Sequence, residues 1–394
     1  MIKNLNIGGV FLVAGTSIGA GMLALPAATS SIGFYPACAM FLVVWYVMYL
    51  AALLMLEANL MLNPGSNIVS MAGHSLGLFG KVFAWTIYLL LLYALNVAYL
   101  SAISDLMLYF SDFMFQIQPY RWMIVIILIT IATSIVCLGT KTIDKINRAF
   151  MFSMIVSFIL LTALFMPSIN SQYLFSGPMS SAYLAIPIIA TSFGFHIIIP
   201  SIRSYLHSDV AAIKKVLFWG SLIPVIIYII WQLIVLGVIP IDGANGLHQI
   251  LASGNPIKLS YSLAQIVHGK ALVNIINIFS LCIIATSFIG VSMSLFDFIA
   301  DGLGVSKNKL GKTIVAIVSF LPPMLIVISK ADYFFVVLGY AGALVALLLC
   351  LLPTIMVLFG RNKGLVTTKK LTNHFEIALV IGFAILVIVC ELLV

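Results

Sequence analysis

Phe11-Leu12-Val13-Ala14-Gly15-Thr16-Ser17-Ile18-Gly19-Ala20-Gly21-Met22-Leu23-Ala24-Leu25-Pro26 is an apolar stretch interrupted at its centre by backbone-breaking residues. A second interruption, Thr191-Ser192-Phe193-Gly194-Phe195-His196, is closed by Pro200. In a hydrocarbon layer no water satisfies freed amide and carbonyl groups, and each unpaired group costs several kcal/mol. Breaks at depth therefore persist only where something else fills those valences. Matched breaks in the two halves of a membrane chain point to the binding site of a secondary transporter. Small residues also allow close helix packing, and Gly15-x-x-x-Gly19 fits that pattern alone. Two breaks, each holding polar residues and each followed by proline, go beyond it.

The composition is that of a membrane protein. The chain of 394 residues is 63% apolar and 8% charged, with mean hydropathy +1.22. Residues 4–56 and 149–202 carry no Asp, Glu, Lys or Arg, each run being long enough for about two crossings at roughly 20 residues per span. Hydropathy and Gly, Pro and charge punctuation predict eleven spans, at 7–30, 35–62, 80–111, 122–140, 146–166, 183–205, 214–240, 270–299, 312–329, 333–359 and 374–393. The stretch 243–262 reads as a long loop with a short helix. By span count and breaks, spans 1–5 (7–166) and 6–10 (183–359) can be laid over each other as a 5+5 inverted repeat, each opening with a broken helix, with 374–393 as an extra helix. The expectation is one all-α transmembrane domain.

Charge sets the orientation. With the N-terminus inside, 15 of the 19 Lys and Arg residues fall on the cytoplasmic side and 4 opposite, as the positive-inside rule requires. An odd span number puts the C-terminus outside. The net charge of +8 is thus topological, and no basic stripe with interleaved aromatics suggests nucleic acid. The five cysteines are scattered through apolar segments without metal-ligand spacing and read as buried thiols. No metal or cofactor is expected.

A helix restarting after Gly19 or Gly21 offers amides to a carboxylate, and one ending near Thr191–Gly194 offers carbonyls to an ammonium. Together they suit the zwitterionic backbone of an amino acid. The expected substrate residues are Gly15, Thr16, Ser17, Gly19, Ala20, Gly21, Asn96, Thr191, Ser192, Phe193, Gly194, Phe195, Phe288 and Tyr340, with Tyr93 nearby. A ring pocket with a few hydrogen-bonding groups would suit an aromatic or hydroxylated side chain.

The opening stretch resembles the start of the bacterial hydroxy and aromatic amino acid permeases, the tyrosine and tryptophan permeases. Further matches are Thr191–His196 with Pro200-Ser201-Ile202, Ala285-Thr286-Ser287-Phe288-Ile289-Gly290-Val291 leading to Leu295-Phe296-Asp297-Phe298, Phe320-Leu321-Pro322-Pro323, and Leu338-Gly339-Tyr340-Ala341-Gly342. The resemblance implies the amino acid–polyamine–organocation superfamily, a leucine-transporter-like fold, and an inner-membrane location. It also implies proton-driven uptake of tyrosine or tryptophan; membrane lipid is a further expected partner.

Ionisable groups at depth are functional candidates by default. Glu57, His196 and Asp297 are candidates for the coupling proton, and Glu57 is expected to pair with a basic group near Arg203. Sodium is the rival ion. Ala14, Ser17, Thr286 and Ser287 could supply a carbonyl-and-hydroxyl cation site. A membrane enzyme is disfavoured because the six histidines are scattered without paired-ligand spacing, and a channel because no filter or ring repeats. A non-transporting amino acid sensor would present the same residues.

Overall fold

A computed structural model of the chain describes residues 2–19, 21–138, 140–175, 179–266, 270–304, 309–329, 333–364 and 370–393. The described residues are helical throughout the apolar segments, because a helix satisfies its own backbone where water is absent. The first span is two helices, α1 (Ile2–Ser17) and α2 (Gly21–Ala28), bent by 53° at the glycine cluster. Then come α3 (Phe34–Leu60), α4 (Ile68–Phe115), α5 (Arg121–Leu138) and α6 (Thr140–Phe165). The second interrupted span is α7 (Ile186–Ser192), a 3-10 turn at His196–Ile198 and α8 (Ile199–Tyr205). α9 (Val210–Val238) is followed by α10 (Leu247–Ala252), α11 (Ile257–Ile266), α12 (Lys270–Leu303) and α13 (Lys309–Ser329). α14 (Phe334–Val345) runs through a π-helical segment, Ala346–Leu351, into α15 (Leu352–Asn362), and α16 (His374–Leu392) comes last.

Nine helical stretches among the described residues are long and apolar enough to cross a membrane, ten if the bent α1–α2 pair is one span. α5, apolar over Arg121–Val136, falls just short of that length. The expected start of the third span at 80 is too late: Asn67 caps α4 by accepting from the Ser70 amide at 2.9 Å. The helix continues through Gly77, whose φ of 74° is a non-helical kink. Its positive φ, which glycine adopts without a Cβ penalty, bends the helix without ending it. The stretch 243–262 holds two short helices, α10 and the start of α11, rather than one.

Packing places both broken spans inside the bundle. α1 lies along α9, α12 lies against α4 and α6, and α14 against α4 and α7. A Cβ on Gly220 would come within 2.9 Å of Val13 Cγ1, so α9 needs glycine there to approach α1. α2 is buried along its whole length.

Candidate functional site

A cavity of about 350 Å³ lies between the two breaks. Of the residues expected at a substrate site, Gly15, Thr16, Ser17, Gly19, Gly21, Thr191, Ser192 and Gly194 line it. The glycines hold its walls close. A Cβ on Gly15 would lie 2.7 Å from Met151 Cε, and one on Gly19 would lie 2.6 Å from Ser287 Oγ. Gly290, by contrast, faces open space and widens the cavity.

One buried phenol ties the breaks together. Tyr228 on α9 donates to the Ser17 carbonyl oxygen at 2.6 Å, and its hydroxyl is 3.2 Å from the Ser192 carbonyl oxygen. Both carbonyls end their helices, so this side chain supplies valence that the missing turns do not. Thr191 Oγ1 lies within reach of two carbonyls, Pro187 of its own helix (3.0 Å) and Leu338 of α14 (3.2 Å), which fixes the end of α7 against α14.

The expected aromatic pocket is differently built. Tyr340 is 57% exposed and does not line the cavity, which corrects its place in the site. It projects outward because Gly339 and Gly342, not Tyr340, face the helices packed on α14: a Cβ on Gly339 would meet Glu391, and one on Gly342 would meet the Pro187 backbone. Phe193, Phe195 and Phe288 are buried but stand behind the wall, Phe193 edge-on to Tyr228 and Phe195 stacked on His196. Asn96 is also behind it, donating to Leu92 O at 3.0 Å and accepting from Ser292 at 2.9 Å. Tyr93 donates to the Val318 carbonyl. The rings that do line the cavity are Tyr88 and Tyr99 of α4, with Phe11 of α1. Ala20 lies outside the described residues.

α6 contributes a wall that the sequence did not flag: Asn147, Met151 and Met154. Asn147 Oδ1 is buried without a hydrogen-bond partner among the described residues. Its signal in the sequence was a lone amide between the basic residues Lys145 and Arg148, where a solvated helix end is the ordinary reading.

From the breaks the cavity extends to Phe11 and Leu12 of α1, Tyr88 of α4 and Asn147 of α6. On the other side of the breaks, Gln232 donates to Thr29, Ser31 donates to His248 Nε2 at 3.1 Å, and His248 Nδ1 donates to Asp242 at 2.9 Å.

The proton candidates separate spatially. His196 is fully buried in the second break, and its Nε2 donates to the Met48 carbonyl at 2.8 Å. Its Nδ1 has no partner among the described residues. Glu57 is also fully buried, but it pairs with Arg361 rather than with a group near Arg203: Arg361 Nε and an Nη reach its two oxygens at 2.7 and 2.8 Å, and the Leu371 amide adds a third bond. Arg203 instead donates to Asn59 and to the Leu62 carbonyl, closing the end of α3. Asp297 is exposed and does not line the cavity. Of the cation-site residues, Ser17, Thr286 and Ser287 reach the cavity. The Ala14 carbonyl accepts from the Ile18 amide, and Thr286 and Ser287 donate to Ile283 O at 3.0 and 3.1 Å.

Comparison with known proteins agrees with this architecture. The chain is 31% identical over 400 residues to a tryptophan-specific transport protein of Haemophilus influenzae, covering 98% of this chain and 95% of the relative. It is 32% identical to tyrosine-specific transport system 1 of the same organism, covering 91% and 89%. Among solved structures, a manganese transporter of Eremococcus coleocola superimposes with a TM-score of 0.67 at 13% identity, covering 99% of this chain and 86% of that one. That likeness concerns the fold alone. Residues 3–391 match the model of the tryptophan/tyrosine permease family, and the chain belongs to that family.

Proposed function

We propose that this protein carries tyrosine or tryptophan into the cell across the bacterial inner membrane, in symport with protons. The observation that supports this most is a single cavity walled by both helix breaks and by the rings of Tyr88 and Tyr99. Its volume of about 350 Å³ is at the small end of ligand pockets, which begin near 300 Å³. A single amino acid zwitterion matches such a chamber, with its carboxylate at the start of α2 and its ammonium near the Thr191 and Ser192 carbonyls.

The reading includes one transmembrane domain of eleven spans, α5 among them, arranged as a leucine-transporter-like 5+5 inverted repeat with α16 as the extra helix. It places the N-terminus in the cytoplasm and the C-terminus in the periplasm, so the cavity opens inward. His196 is our coupling candidate, because an imidazole that donates through Nε2 keeps Nδ1 available as a proton acceptor. Glu57 serves this role less well, since Arg361 already compensates its charge.

Sodium coupling is the second reading. Ser287 abuts Gly19, and Thr286 lines the same cavity; a hydroxyl that donates to its own helix still offers lone pairs to a cation. The experiment is counterflow of labelled tyrosine and tryptophan in proteoliposomes, repeated as net uptake without sodium and with an uncoupler. Exchange of neither amino acid would refute a carrier and favour a sensor. Uptake that needs sodium and survives the uncoupler would refute proton coupling.

A further inference from the structure

Five glycines line the cavity: Gly15, Gly19, Gly21, Gly194 and Gly290. Protein atoms account for four of them. A Cβ would meet Met151 at Gly15, Ser287 at Gly19, Ser192 at Gly21 and the Thr191 carbonyl oxygen at Gly194. A Cβ at Gly290 would meet nothing within 4 Å. The backbone does not call for glycine there either, since residue 290 lies inside α12 without a positive φ. Glycine in a helix interior costs about 1 kcal/mol relative to alanine. Neither packing nor conformation explains that cost, so the space in front of Gly290 has another use.

The α12 face of the cavity is small: Thr286, Ser287, Gly290 and Ser294, with Val291 its largest side chain. Its hydroxyls donate to their own helix, Thr286 and Ser287 to Ile283 O and Ser294 to Gly290 O at 3.0 Å. Such a face suits a ring better than a charge. The other walls carry long side chains, among them Leu95 and Tyr99 of α4 and Met151 and Met154 of α6. α4 and α12 run antiparallel: Asn96 accepts from Ser292, Tyr88 and Phe298 have ring centres 4.8 Å apart, and Trp85 abuts Gly302. In that register Gly290 stands at the level between Leu95 and Tyr99. Ser287, which abuts Gly19 at the first break, precedes Gly290 by three residues. That interval is about 4.5 Å along α12 at 1.5 Å per residue. A ring one methylene away from a zwitterion held at the breaks reaches this recess.

We propose that Gly290 sets the substrate specificity of the cavity: the space left by its missing side chain seats the aromatic ring of the substrate, between the α12 backbone and Leu95 and Tyr99. This rests on the reading of the cavity as an aromatic amino acid site. A side chain at 290 takes volume from the ring and not from the zwitterion. Selectivity therefore shifts by ring size, and the indole is excluded first.

The test is equilibrium binding to the purified full-length protein, wild type, Gly290→Ala and Gly290→Val, with tryptophan, tyrosine, phenylalanine and alanine as ligands. Gly290→Val should weaken each aromatic amino acid that wild type binds about ten-fold, the lower end of what one methylene changes in a pocket. Gly290→Ala should weaken them less, and in both variants the loss should grow from phenylalanine to tryptophan. Alanine has the zwitterion without the ring, and its affinity should stay unchanged. Gly382 of α16 also meets nothing within 4 Å but does not line the cavity, so Gly382→Val should bind as wild type does. Equal losses for alanine and the aromatic amino acids would overturn the proposal, as would no loss in either variant. Unchanged affinities with slower counterflow would overturn it too, and assign Gly290 to the passage instead of the seat. Wild type that binds neither tryptophan nor tyrosine would refute the substrate reading itself. Where alanine binds too weakly to measure, the order by ring size decides. Should Gly290→Val fail to fold, Gly290→Ala decides alone, since alanine favours the helix.

Discussion

Tyr228 donates its hydroxyl proton to the carbonyl oxygen of Ser17, 211 positions away, across 2.6 Å. The Tyr228 hydroxyl is also 3.2 Å from the Ser192 carbonyl oxygen. A phenol has one proton, so it can serve only one of these two acceptors at a time. The two helix breaks thus share one donor, which couples the backbone of α1 to that of α7.

Removing that donor tests the coupling. Tyr228→Phe keeps the ring against Phe193 but leaves the Ser17 carbonyl without it, at a cost of about 1–3 kcal/mol. The expected outcome is a lower melting temperature and amino acid counterflow reduced about ten-fold, the equivalent of about 1.4 kcal/mol. Wild-type values in both assays would mean that the bridge carries nothing.

Gly19 and Ser287 give a paired test of the cavity wall. Gly19→Ala puts a Cβ 2.6 Å from Ser287 Oγ, closer than real contacts allow, and should weaken substrate binding in an equilibrium assay. Gly19→Ala with Ser287→Gly should recover most of that loss, because the clashing hydroxyl is gone. Failure of the second change to rescue the first would show that Gly19 acts through backbone conformation alone.

Glu57 and Arg361 should behave as a buried pair. Glu57→Gln strands the Arg361 guanidinium, whose exposed side-chain fraction is only 8%, at a cost of about 3–5 kcal/mol. The single variant should lose folded yield and thermal stability. Glu57→Leu combined with Arg361→Leu should regain much of it, read by melting curves in detergent.

His196→Asn can keep the bond to the Met48 carbonyl through its amide but removes the second ring nitrogen. Exchange of labelled substrate should persist while accumulation against a gradient is lost. Accumulation at the wild-type level in this variant would place the coupling proton elsewhere.

Tyr340→Leu should change neither substrate affinity nor exchange rate, since the ring is exposed on the outside of α14. A raised Km in uptake assays would contradict its placement.

The two breaks and most helix boundaries were legible because lipid enforces them: a backbone without water must be helical, and Gly15–Gly21 and Thr191–His196 contain the residues that depart from helix. The start of α4 was not legible: the kink at Gly77, φ 74°, falls just before the span expected from residue 80. The site was legible in its backbone and obscure in its side chains. Tyr228 sits within an uninterrupted apolar run, and nothing in Pro224–Trp231 distinguishes it from a packed ring.

By itself, the sequence determined that the protein is a helical membrane bundle broken at two places, because hydrocarbon penalises every unpaired amide regardless of what surrounds it. Only the tertiary structure decided which side chains meet. Glu57 and Arg361 are 304 positions apart, and helix rotation turned Tyr340 outward while bringing Asn147 and Met151 to the cavity. Rotation and pairing follow from how helices pack on one another, and packing is a property of the assembled bundle rather than of any single segment.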